Sequence, residues 1–193
     1  MCRVYGRGQS RVRSDRPFAP IGARLRTTGG RAYRAQMEPK DELTPALEAA
    51  KRRRATLHDT IVHLEESISS PAAGRIPGWT EQVRKEMTGV RDAWEQHVIV
   101  TEKPGGLYEE ITERSPRLVG NIQRLQGEHP SIGLAVEAMV LRLESTDITE
   151  DGEWSLETAR DDLQRFIGLV VKHRQRGADL VWEAYNVDIG GTE

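Results

Sequence analysis

The sequence predicts an all-α protein, an antiparallel up-down four-helix bundle. Three observations carry this. After Met37, apolar residues recur every three or four positions along four long segments, with no alternating run of the kind a half-buried strand needs. Aromatic residues make up 5% of the chain and charged residues 30%, a balance that suits helices with ion-paired outer faces better than a β-sandwich. Connections of about ten residues return each segment alongside the one before it. The 193 residues suffice for one core.

Residues 1–36 stand apart. They hold nine arginines against the single acid Asp15, leaving nineteen bases against twenty-nine acids in residues 37–193. This Arg, Gly and Pro composition cannot form a core. It reads either as a disordered basic extension, of the kind seen in targeting peptides and nucleic-acid arms, or as translated upstream sequence with the true start at Met37. The acidic remainder gives no support for nucleic-acid binding. No apolar run approaches the roughly 18–20 residues of a membrane helix, so a soluble, cytoplasmic protein is expected.

The first helix is expected from about Thr44 to Ile68, with Thr44 as cap and Pro45 in the first turn. Its stripe is Leu43, Leu47, Ala50, Arg54, Leu57, Ile61, Leu64 and Ile68, and Pro71 and Pro77 break it. A second helix runs from near Trp79 to about Glu102, striped by Val83, Met87, Val90, Trp94 and His97. "KPGG" stops it, and "LYEEITER" makes a short helical piece. Ser115 and Pro116 form the next start signal. The third long helix carries Leu118, Ile122, Leu125, His129, Ile132, Val136, Met139 and Leu143; Pro130 predicts a kink or one lost backbone bond. The fourth begins near Ser155, with Leu156, Ala159, Leu163, Phe166, Val170, His173, Gly177 and Leu180.

Three of these stripes are broken by a histidine. At about 1.5 Å per residue, positions equally far from a shared turn lie at one height. His97, His129 and His173 therefore face inward at one level to within about one turn. Neutral imidazoles are ligands for Zn, Fe, Ni and Cu, and a metal offsets the cost of burying their nitrogens. Cys2 is the only cysteine, so disulfides and cysteine-based zinc sites are excluded and any metal must be held by histidine and carboxylate. Glu102 stands where the helix end can swing it inward, Glu128 points aside, and Gly177 leaves room for a ligand. The alternative is a metal-free hydrogen-bonded network of the histidines with Glu102 and Arg54. Ring nitrogens within about 3–4 Å of one another would favour the metal; separations beyond about 7 Å with Arg54 between would favour the network.

"HVIVTEKPGGLYEEI", "RLQGEH" and "HRQRGADLVWEAYNVDIGG", with one inward histidine per helix, resemble the hemerythrin-like (HHE cation-binding) family over roughly residues 43–188. The resemblance implies a four-helix bundle around non-haem iron that binds or senses O₂, NO or peroxide, or handles iron. By position it implies metal ligands His58 on the first helix, His97 and Glu102 on the second, His129 on the third and His173 on the fourth. The chain departs from the family's pattern. Thr101 occupies the position four after His97 and the glutamate comes at five. Leu125 and Gly133 stand where a second histidine would flank His129, and Ala178 where an aspartate follows His173. His58 also lies about 90° from the centre of its helix's stripe, and His63 is expected at the surface.

The expected function is thus hemerythrin-like metal binding with an incomplete ligand set, holding one metal or none. The alternative is a metal-free interaction or scaffold module, for which the "KRRR" run at 51–54 and the acids of the third helix offer contact surfaces. No enzyme activity is expected. Cys2 lies in the extension, and neither a Gly-rich phosphate loop nor a Ser-centred elbow appears.

Overall fold

The computed structural model describes residues 44–186. The basic extension 1–36 and Leu43 lie outside the described residues. Helix α1 (Pro45–Ser69) starts as its sequence dictates: Thr44 is extended, its Oγ1 accepts the Leu47 N–H at 3.1 Å, and Pro45 takes the first helical position. Helix α2 (Ile76–Glu102) begins three residues ahead of Trp79, around Pro77. Helix α3 (Leu107–Arg114) follows the "KPGG" break.

That break depends on two glycines. Gly105 has φ +68°, a left-handed conformation open to glycine at little cost. A Cβ on Gly106 would stand 2.6 Å from the Lys103 carbonyl oxygen and 2.9 Å from that of Val100. The chain can turn sharply at the end of α2 only with a bare backbone there, and Glu102 sits at that end.

Ser115 and Pro116 do not start an α-helix directly. Pro116–Leu118 form one 3₁₀ turn and α4 (Val119–Ser145) begins after it. Pro130 lies within α4, which continues past it. Val140 is buried toward the end of the α4 stripe and Met139 only partly so, a slip of one residue from the expected face. Where a plain connection was expected, β1 (Ile148–Thr149) and β2 (Trp154–Ser155) pair in parallel. Their product is a fixed Trp154, fully buried, with Nε1 donating to Asp162 at 3.1 Å and the Arg142 guanidinium 4.2 Å from its ring centre. Helix α5 (Leu156–Asn186) completes the described chain.

The described residues are thus helical apart from this strand pair and the short connections between elements. α1 packs chiefly on α2, α2 on α4, and α4 on α5, while α5 returns to α1. Three of the four long helices have their terminal carbonyls held by arginines from elsewhere: Arg160 donates to Ile68 and Ser70 at α1, Arg84 to Leu143 at α4, and Arg114 to Ala184 at α5. Each places a cation at the negative end of a helix. None of the described helices is long and apolar enough to cross a membrane.

The apolar interior falls into two clusters. One contains Leu57, Trp94, Ile132 and Val170; the other contains Ala50, Val100, Leu125 and Leu180. Between them each long helix interrupts its stripe, at Arg54, His97, His129 and His173, and α2 buries Thr101 one turn after its histidine. The polar layer is where the site lies.

Candidate metal centre

His97, His129 and His173 are buried, with side chains from α2, α4 and α5 offering nitrogens that all lie within 4.8 Å of one another. His173 Nε2 stands 3.2 Å from the Nε2 of His97 and 3.2 Å from that of His129. With metal–nitrogen bonds of about 2.0–2.1 Å, these two spacings correspond to ligand angles of about 100°, whereas the third pair, His97 and His129, is wider, within 4.8 Å, and closes somewhat if one ion takes all three rings.

Two of the rings are anchored from behind. His129 Nδ1 lies 2.5 Å from Glu102 Oε1, and His173 Nδ1 lies 2.9 Å from Glu128 Oε2. A carboxylate can only accept, so each Nδ1 carries the proton and each neutral ring presents a bare lone pair at Nε2. Two such lone pairs meet at 3.2 Å. They repel unless a cation lies between them or one ring takes a second proton.

The second proton is disfavoured. Burial holds all three histidines below the usual imidazole range. For His97, burial, then the neighbouring rings His129 and His173, then Arg54 and Arg174 bring the pKa from 6.5 to about 3. For His129 and His173 burial dominates, with Glu102 and Glu128 opposing it. Glu128 itself is lowered. Its partial burial acts upward, but hydrogen bonds from Arg176, at 2.8 Å, and His173 outweigh it. The donor set therefore fits a metal: neutral rings, converging lone pairs and orienting carboxylates of the kind that fix metal-bound histidines.

Trp94 walls one side, its ring centre 5.2–5.6 Å from those of all three histidines. A Cβ on Gly133, one turn past His129, would lie 3.6 Å from the Trp94 indole nitrogen. The indole thus stands beside the position where a second α4 histidine would attach. Tyr108 stacks on His129 with centres 6.0 Å apart and planes at 14°. Burial, and then the charge of Glu102, push its phenol well above the usual range, so it stays protonated.

Of the five expected ligands, the structure brings His97, His129 and His173 together. Glu102 reaches the group behind His129 rather than beside it. His58 is exposed on α1 and does not join the cluster. Its angle from the α1 stripe explains this: the inward position at this level belongs to Arg54. His63 is exposed, as expected. Glu128 was expected to point aside. It does leave the core, but the turn of about 100° from His129 carries it to the α4–α5 seam, where it meets His173.

The fold and site define an all-helical protein with a buried three-histidine cluster that could hold one metal ion. Compared with known proteins, the chain finds no significant match among family models, curated proteins or solved structures.

Proposed function

We propose that this chain is a mononuclear metal-binding protein of antiparallel up-down, hemerythrin-like topology, with His97, His129 and His173 as ligands and Glu102 and Glu128 orienting two of them. The observation that carries the proposal is the pair of back-anchored rings whose Nε2 atoms meet at 3.2 Å. The topology is supported by the order in which the helices cross the two apolar clusters. α1 and α4 run from the Ala50–Leu125 cluster to the Leu57–Ile132 cluster, whereas α2 and α5 run the opposite way.

A bound divalent ion would supply a Lewis-acidic position for a small ligand. Imidazole donors suit Fe, Zn, Ni or Cu, and iron is the metal the family resemblance implies. The chain's own residues exclude bulk water with Trp94 and Tyr108, hold the protons at Nδ1 of His129 and His173, and leave space on the side of Gly177. The role we assign is binding or sensing of a small molecule such as O₂, NO or peroxide, not turnover.

Full-length protein from iron-supplemented medium should contain close to one metal per chain by elemental analysis. His97→Ala with His129→Ala should abolish it, and His58→Ala should leave it unchanged. Background metal in folded wild-type protein, after incubation with Fe, Zn, Co and Ni in turn, would contradict the proposal and favour the metal-free bundle.

A further inference from the structure

The polar layer has a fourth member that is not a ligand. α1 contributes Arg54, and the pocket beside the cluster is lined by Lys51, Arg54, Arg174, His97 and His173 together with Tyr108, Gly177 and an apolar side that includes Leu47 and Val181. Lys51 and Arg54 come from the "KRRR" run. Their i, i+3 spacing puts both on one side of α1, whereas Arg52 turns outward to Glu48 at 3.5 Å. Among the described residues, no ion pair is formed by Lys51, Arg54 or Arg174. The Arg174 Nε is buried without a hydrogen-bond partner.

The local charge does not balance. Glu102 stands behind the neutral His129 ring and Glu128 behind that of His173, where Arg176 offsets it, and neither carboxylate lines the pocket. The acid whose charge acts on Arg174 is Asp59, which is exposed and forms no ion pair with it. Arg54 and Arg174, with the exposed Lys51, therefore face one pocket that no acid among the described residues lines, next to a site that would add a further positive charge. Apposed cations of this kind need a counter-charge when partly desolvated. The pocket offers about 30 Å³, on a measure by which one water needs about 10–15 Å³, so only a few heavy atoms fit.

We propose that Arg54 and Arg174 bind a small monovalent anion, of two or three heavy atoms, in the pocket beside His97 and His173. This rests on the metal reading for its full strength, since the anion would also face the metal. The arginine pair alone keeps a weaker site in metal-free protein. This replaces the neutral O₂ and NO of the proposed function with small anions such as formate, nitrite or superoxide as the favoured ligands.

The test is formate titration of full-length protein by calorimetry, metal-free and after cobalt(II) loading, with cobalt stoichiometry measured separately. Arg54→Gln and Arg174→Gln should each weaken formate binding at least tenfold in the loaded protein while cobalt stoichiometry stays the same. Arg52→Gln, outside the pocket, should change neither. Cobalt binding with no formate affinity, or with affinity indifferent to Arg54 and Arg174, would overturn the anion pocket and leave the metal site standing. If cobalt does not bind, the metal reading fails and metal-free protein decides: formate binding lost in Arg54→Gln supports the pocket, and no binding overturns it.

Discussion

Glu128 stands behind His173, its Oε2 accepting the Nδ1 proton at 2.9 Å while Arg176 donates to the same oxygen at 2.8 Å. One carboxylate thus fixes the tautomer of a ring on α5 from a helix that supplies a different member of the cluster, His129. Glu102 does the same for His129 from the end of α2. The two contacts tie α2, α4 and α5 together around the point where the Nε2 atoms converge.

Removing either carboxylate frees the ring it holds. Glu128→Ala and Glu102→Ala should each lower metal affinity about 10–100-fold, the usual range for groups that orient metal-bound histidines. Competition with a chromophoric chelator reads this directly. Affinity unchanged in both variants would mean that the carboxylates do not set the ligand geometry.

Gly106→Ala places a methyl against three backbone carbonyl oxygens at 2.6–3.0 Å, with no flexible side chain to yield. It should cost roughly 1–3 kcal/mol in urea denaturation, within the range for backbone strain of this kind. It should also weaken metal binding, because the end of α2 carries Glu102. A stability equal to wild type would show that the turn can be made without a bare backbone.

Metal-free protein should lose stability on acidification. The folded pKa of His97 is depressed to about 3, against 6.5, so below pH 6.5 the unfolded chain takes up a proton that the folded chain refuses. Stability is therefore full above pH 6.5 and falls as pH drops toward 3, by up to about 1.4 kcal/mol per pH unit from this group alone. His129 and His173 shift in the same direction and add to the slope. Denaturation midpoints of chelator-treated wild type and His97→Leu, measured between pH 7 and 4.5, check this. The variant should show the shallower slope, and equal slopes would count against a neutral buried His97.

The helices were legible because each buries a stripe, and the stripe's period is written in the sequence. The common level of His97, His129 and His173 was legible too, since helical rise converts residue counts into heights. What joins helices sideways was not. Glu128 and Arg174 each follow or precede a stripe histidine by one residue and look like ordinary flanking charges. Their roles depend on which neighbour lies across the seam. His58 illustrates the reverse: a family pattern proposes it as a ligand, whereas Arg54, already in the α1 stripe, holds the inward position at that height. The pairing of β1 with β2 had no signal, being two residues long and set by the burial of Trp154.

The most direct test of the central claim is X-ray absorption at the metal edge of loaded full-length protein. A single metal with three imidazole scatterers at about 2.0–2.1 Å, falling to two in His173→Ala, is the expected result. A metal–metal vector, or a first shell of oxygen without imidazole scattering, would contradict a mononuclear three-histidine centre.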